Sequence, residues 1–437
     1  MFFLNDIYTK LMFFFFKYKL GQTKYFSPEI WYNTRVRDIM RNYKKVIIDK
    51  KGEERLKNNH PWVFEGNIEN SEIIEDGSLV DVLNEKKKYL GTGFFNSKSK
   101  IRVRIISRNT NDKFDYDFFK RRVEYALNYR LEVIDKDNLN SFRVIYGEAD
   151  EFPGLTVDKF DDVLVTEVLS LGIDLRKDVI YKALIEVFKE KNILITGIYE
   201  RCDNPIRLKE GLEEYKGWYL KSDNPITMRI IVENGIKYFV DFENGQKTGF
   251  FLDQKYNRQL IKKLAKNKNV LDVCTHTGSF AMNAYLGGAM SVTAIDISEK
   301  ALSDACKNFK LNNMDIDPIC GDAFEVLEKL PKKKYNLIIL DPPAFTKSKS
   351  TINNALKGYE RLNYLGMKLL PRGGFLATAS CSHFATEEDF KEAIRKASIL
   401  ADVKLKLVSA TGPSPDHPEL IGVPETKYLK FFIFQVF

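Results

Sequence analysis

Residues 269–296, NVLDVCTHTGSFAMNAYLGGAMSVTAID, decide the fold. A strand-like run, Val270 to Val273, interrupted only by Asp272, breaks at Thr277-Gly278. A helical segment then reaches Gly287-Gly288, and a second β-branched run ends in Asp296. Short apolar runs separated by helical segments are the pattern of a buried parallel sheet with crossover helices. The alternation continues downstream. SEKALSDACKNFKLNN reads as a helix, DPICGD as a short strand, AFEVLEKL as a helix and YNLIILDPP as a strand. ALKGYERLNYLGMKLL reads as a helix and GGFLATASCS as a strand. TEEDFKEAIRKASIL is a helix opened by the capping pair Thr386 and Asp389, and VKLKLVSATG and KYLKFFIFQVF close the chain as strands. The fold class is α/β, with a doubly wound, mostly parallel sheet.

In such sheets ligands bind beyond the carboxyl ends of the strands, so the residues there are the candidates. The first strand runs through Asp272 into Cys274-Thr275-His276-Thr277-Gly278. The glycine lets a ligand approach the backbone, and the helix that follows offers free N–H groups. The loop lacks the G-x-G-x-x-G of dinucleotide binders. Asp296, at the second strand end, suits the hydroxyls of a ribose. Asp322, at the third, is placed to accept from an adenine amino group. Ribose plus adenine without a diphosphate points to S-adenosylmethionine. Each acid also has a local reading as a helix N-cap.

The fourth strand ends in Asp341-Pro342-Pro343-Ala344-Phe345, a rigid shelf that cannot rejoin a helix. Phe345 either stacks on a base or packs in the core. The fifth ends in Ser380-Cys381-Ser382. Buried cysteines are usually inert, which is the expectation for Cys274, Cys306 and Cys320. Cys381 differs because it sits at the carboxyl edge beside Asp341. Carbon 5 of a pyrimidine is too electron-poor to attack a methyl sulfonium directly. A thiolate added at carbon 6 makes carbon 5 nucleophilic. Asp341, sharing a proton with the ring nitrogen, would drive that addition.

Upstream, residues 41–112 read as a β-rich module and 113–222 as an α+β domain, with 223–437 completing the chain. In SKSKIRVRIISR, Lys98, Lys100, Arg102 and Arg104 alternate with aliphatic residues, so period two predicts four cations on one strand face. That strip either contacts phosphates or protects an edge strand. Asn234-Gly235 within IIVENGIKYFVDF predicts a two-residue hairpin turn. Residues 1–40 read as an unstructured leader, or as a start-site artefact with translation beginning at Met40. Their apolar run, Phe13 to Phe16, is too short to span a bilayer.

At 437 residues with a net charge of +8, the chain suits several domains and a polyanionic partner. Five cysteines without metal-ligand spacing fit a reducing cytoplasm. No metal site is expected from four dispersed histidines.

HPWVFEGNI (60–68), YGEADEFPGLTVDKF (146–160), TGFFLDQ (248–254), VLDVCTHTGSFAMNA (270–284), DPPAFTKSKS (341–350), SCS (380–382) and DHP (416–418) occur in this order. Together they resemble the RlmI-like family of PUA-domain ribosomal RNA cytosine-C5 methyltransferases, from about residue 44 to the C-terminus. The resemblance implies an RNA-binding PUA module, a middle α+β domain and a Rossmann-like class I methyltransferase domain. It implies cofactor binding by Asp272, Thr277, Gly278, Asp296, Asp322 and Asp341, with Cys381 as nucleophile. It also implies that Thr248, Gly249 and Phe250 close over the methionine end of S-adenosylmethionine. The implied partner is large-subunit ribosomal RNA; neither a metal nor a membrane is implied, and a homodimer stays open. His276 stands where relatives carry an aromatic. Ala344 replaces a basic or polar residue, and some RNA cytosine methyltransferases keep a second cysteine there. Uracil-C5 or guanine-N7 methylation, and a non-catalytic RNA-binding assembly factor, are the alternatives.

Overall fold

A computed structural model describes residues 42–70, 73–221, 225–346 and 348–437. The expected leader lies outside the described residues. The first sheet is built from β1 (Lys44–Ile48), β2 (Trp62–Phe64), β3 (Ile68–Asn70), β4 (Leu79–Asn84), β5 (Tyr89–Phe95) and β6 (Ile101–Ser107). Its order is β2-β6-β5-β4-β1-β3. Helix α1 (Lys50–Lys57) follows β1 and is capped by Asp49, whose side chain accepts from the Gly52 N–H. Val46, Ile48, Val80, Val82, Val103 and Ile105, at alternate positions of their strands, form this sheet's core.

The second sheet joins β7 (Ser141–Tyr146), β8 (Leu155–Phe160), β9 (Val163–Val168), β10 (Gly197–Cys202) and β11 (Tyr215–Leu220) in the order β11-β10-β9-β8-β7. Helix α2 (Tyr116–Val133), capped by Asp115, lies against α3 (Lys177–Glu190) and β7. Strands β12 (Met228–Glu233) and β13 (Ile236–Asp241) form the expected hairpin. Asn234 and Gly235 both have positive φ, 56° and 82°, as a type I′ turn requires.

The third sheet comprises β14 (Asn269–Val273), β15 (Ser291–Asp296), β16 (Asp317–Cys320), β17 (Leu337–Leu340), β18 (Phe375–Ser380), β19 (Leu405–Thr411) and β20 (Lys430–Val436). The order is β16-β15-β14-β17-β18-β20-β19, and only β20 runs antiparallel to its neighbours. Period two explains why both faces are apolar. Val270, Ile339, Ala377 and Phe431 pack on one face with α4 (Lys255–Leu264), α5 (Ser279–Leu286) and α6 (Glu299–Leu311). Leu271, Ile338, Leu340 and Phe432 pack on the other with α7 (Ala323–Lys329), α8 (Ile352–Leu369) and α9 (Glu387–Leu400). Each buried aliphatic or aromatic side chain contributes roughly 1.5–3 kcal/mol. The Thr386–Asp389 capping box forms as expected. Among the described residues no helix is long and apolar enough to cross a membrane.

Two expectations are corrected. The four-cation strip does not form, because β6 begins at Ile101 and Lys98 and Lys100 lie in the preceding turn. Arg102 pairs with Glu65. Arg104 is buried, 2.9 Å from Glu210 beside the second sheet and over the ring of Trp62. A carboxylate brought from far along the chain covers what period two presents as an outer face. The cysteines also differ: Cys320 is exposed, Cys274 and Cys306 are half-buried, and Cys202 is the fully buried one.

Candidate active site

Because β14 to β18 run parallel, their carboxyl ends share one edge of the sheet. The loop after β14 is strained there: Cys274, His276 and Gly278 have φ of 62°, 51° and 81°. Left-handed non-glycine residues cost about 1–3 kcal/mol each and persist where the surroundings enforce them. Asp272 Oδ2 is one enforcer. It accepts from Thr275 Oγ1 at 2.6 Å and from the Ala281 N–H at 2.9 Å. Asp296 is another, with Oδ2 accepting from the His276 N–H at 2.8 Å and Oδ1 from the Ser298 N–H at 2.9 Å. Gly278 also has a packing reason to be glycine. A Cβ there would lie 2.3 Å from Phe309, so the glycine admits α6 as well as the left-handed turn. Thr277 is half-buried, and its carbonyl accepts from Asn308 Nδ2 at 3.1 Å.

Asp322 is the N-cap of α7, its Oδ1 accepting from the Phe324 and Glu325 N–H groups. The capping reading is therefore real, and it leaves the side chain half-buried at the same edge as Asp296. Asp272 Oδ1 is buried and has no hydrogen-bond partner among the described residues. An orphaned acceptor of this kind is costly without a donor to meet it. Burial pushes the Asp272 carboxyl up to about 7, against the bonds from Thr275 and Ala281. The donor set of a bound amino-acid cofactor fits this arrangement.

Asp341 and Cys381 leave the paired strands β17 and β18 at this edge. Burial, then the charges of Asp253 and Asp272, push the Asp341 carboxyl up to about 7. Burial also raises the Cys381 thiol, to about 11, with Asp341 adding to the rise and Lys247 opposing it. The ladder places Lys430, first residue of β20, opposite Ser380. Its buried Nζ donates to the carbonyls of Ser382 at 2.7 Å and Tyr428 at 3.0 Å, and burial lowers its pKa to about 8. Phe345 packs against Tyr359 with ring centroids 4.7 Å apart, which is its core reading.

Residues 46–108 match the PUA-like domain, and residues 214–431 match the S-adenosylmethionine-dependent methyltransferase family. The ribosomal RNA large subunit methyltransferase I of Pseudoalteromonas atlantica is 37% identical over 398 residues, covering 90% of this chain and 99% of its own. The chain belongs to the ribosomal RNA large subunit methyltransferase I family. The Klebsiella pneumoniae (strain 342) protein of that name is 34% identical over 400 residues, covering 90% of this chain and 98% of its own. A Streptococcus mutans structure named as a candidate SAM-dependent methyltransferase shares the fold. Its TM-score is 0.75 at 22% identity, over 90% of this chain and 100% of its own. The chain is thus a Rossmann-like, S-adenosylmethionine-dependent methyltransferase carrying an N-terminal PUA-like domain.

Within this methyltransferase the TGFFLDQ segment departs from expectation. Thr248 is buried, and its hydroxyl donates to Asp158 Oδ2 at 2.6 Å, so it fastens the loop after β13 to the second sheet. Phe250 is buried against Tyr238 and the Arg258 guanidinium. Gly249 has φ of 125°, and a Cβ would lie 2.9 Å from Val240. The residue facing the loop after β14 is Phe251, edge-on to His276 at 5.2 Å. The DHP motif is a seam as well. Asp416 accepts from the Arg143 N–H at 3.0 Å and pairs with His417 at 2.8 Å.

Reasoning from the sequence missed Thr275, Asp253, Gln254 and Lys430. Lys430 carried a usable signal, a lone cation opening the mostly apolar strand KFFIFQV. Gln254 carried one too, as the polar end of TGFFLDQ.

Proposed function

We propose that this methyltransferase modifies carbon 5 of a cytosine in large-subunit ribosomal RNA, in the cytoplasm, through a covalent cysteine adduct. The observation that carries the reading is the pairing of a thiol, Cys381, with a carboxyl group held near neutrality, Asp341, on adjacent strands. Relatives named for large-subunit ribosomal RNA support the substrate class. Asp272, Asp296 and Asp322 would hold S-adenosylmethionine, which supplies an electrophilic methyl group at the rim. Cys381 Sγ, as thiolate, bonds carbon 6 of the ring while Asp341 gives a proton to the ring nitrogen. Carbon 5 becomes enamine-like and takes the methyl group. Its proton then passes to a base, the carbon–sulfur bond breaks, and the ring-nitrogen proton returns to Asp341, which regenerates the aromatic ring, the thiolate and the acid. Lys98 and Lys100, exposed in the turn before β6, are the phosphate contacts of the PUA-like domain.

Guanine N7 is already nucleophilic and gives Cys381 nothing to do. Uracil shares the covalent route, but its ring N–H asks for an ionised acceptor where Asp341 is held toward its acid form. Tritiated methyl transfer to undermodified ribosomal RNA, with nucleoside analysis, tests the reading. Labelled 5-methylcytidine is expected. Labelled 5-methyluridine or 7-methylguanosine contradicts it, and no label at all favours a binding role.

A further inference from the structure

Asp341 is the last member of a directed chain of side-chain amides that starts at the end of β19. The Gly412 carbonyl, a main-chain group, can only accept a hydrogen bond. Asn257 Nδ2 donates to it at 3.1 Å, which fixes the orientation of that amide. Thr411 Oγ1 donates to Asn257 Oδ1 at 2.7 Å, consistent with the same orientation. Asn257 Nδ2 also donates to Gln254 Oε1 at 2.6 Å. With its carbonyl engaged, Gln254 turns Nε2 to Asp341 Oδ1, 3.0 Å away. Gln254 and Asn257 are both buried. A flipped Gln254 would set its amide nitrogen against that of Asn257 within a buried pair.

We propose that Gln254 is a positioning residue: locked by Asn257, it reserves Oδ1 of Asp341 as an acceptor and leaves Oδ2 as the oxygen that carries a proton to the substrate ring. This rests on the reading of Asp341 as the acid that protonates the base. An Oδ2–H group matches a ring nitrogen that accepts, as in cytosine, and opposes one that donates, as in uracil. The choice of base is then set one residue behind the group that touches it. The groups acting around Asp341 are the carboxylates of Asp253 and Asp272, the Arg258 guanidinium and the thiols of Cys274 and Cys381. Among these, burial and the two carboxylates favour the protonated form, while Arg258 and the Gln254 bond favour the ionised one. Loss of the Gln254 donor therefore keeps Asp341 protonated to higher pH.

The test compares wild type with Gln254→Met and Asn257→Leu. S-adenosylmethionine titration calorimetry identifies folded protein. Methyl transfer to an rRNA fragment is then followed from about pH 5.5 to about pH 9.5, with cytosine or uracil at the target position. For Gln254→Met, kcat on cytosine falls about tenfold, KM stays within about twofold, and the alkaline limb moves up by about half a pH unit or more. The preference for cytosine over uracil falls about tenfold, because either oxygen can then hold the proton. Asn257→Leu moves the limb in the same direction by less, since Gln254 is retained but free to flip. An unmoved limb and an unchanged base preference in folded Gln254→Met overturn the proposal. A shifted limb in a protein whose wild type labels uracil leaves the amide chain standing and rejects the cytosine reading.

Discussion

Charged groups are buried in two ways in this molecule. On β6, Arg104 is buried against a carboxylate, Glu210, at 2.9 Å. At the rim of the third sheet, buried Asp272 and half-buried Asp341 have no salt-bridge cation among the described residues, and each is pushed up to about 7. A paired buried charge is fixed and belongs to the scaffold. An unpaired one stays titratable, and its cost is tolerated where chemistry needs a proton that can move. The same contrast separates the pair Arg143–Asp158 of the second sheet, with contacts of 2.8 and 2.7 Å, from the rim acids of the third.

The contrast can be broken at its strongest point first. Cys381→Ser should lower turnover by about three orders of magnitude or more, with S-adenosylmethionine binding and Tm little changed. Retained turnover would remove the chemical meaning of the rim. Arg104→Met should leave Glu210 buried and uncompensated, destabilising the fold by about 3–5 kcal/mol in a urea titration. A loss no larger than that of an exposed pair would place Arg104 at the surface.

Asp272→Asn sharpens the comparison through pH. In the wild type, the Asp272 carboxyl titrates near 7 when folded and about 4 when unfolded. Between these values the unfolded chain has released a proton that the folded one keeps, so stability falls as pH rises through that window and levels off above it. The asparagine variant should show a shallower fall in Tm over the window, together with weaker cofactor binding. An unchanged slope would assign the pH dependence elsewhere. Smallest is the effect of Lys98→Ala with Lys100→Ala. Stability should change by no more than about 0.5 kcal/mol, while the salt slope of RNA binding loses about one unit per phosphate contact. An unaltered slope would remove this turn from the RNA interface.

The same physics explains what the sequence made legible. A parallel sheet delivers every strand end to one edge, so Asp272, Asp296, Asp341 and Cys381 could be gathered from apolar runs and turn residues alone. The hairpin at Asn234-Gly235 and the capping box at Thr386 are equally local, and both appear as expected. The fate of a side chain on a strand face is not local. Arg104 meets Glu210, 106 residues away, and Thr248 meets Asp158, 90 residues away. No periodicity within β6 or TGFFLDQ carries those partners. Gly278 shows a further limit, because a glycine that admits Phe309 and one that admits a ligand look identical in sequence.

The central claim is that sulfur at the sheet's rim bonds transiently to the target ring. Mass spectrometry of the protein after incubation with S-adenosylmethionine and RNA containing 5-fluorocytosine at the target tests it most directly. The account predicts a stable RNA–protein adduct that maps to Cys381 and is absent from Cys381→Ser. Methyl transfer to ordinary RNA, with no adduct on the fluorinated substrate or with one mapping to another cysteine, would contradict it.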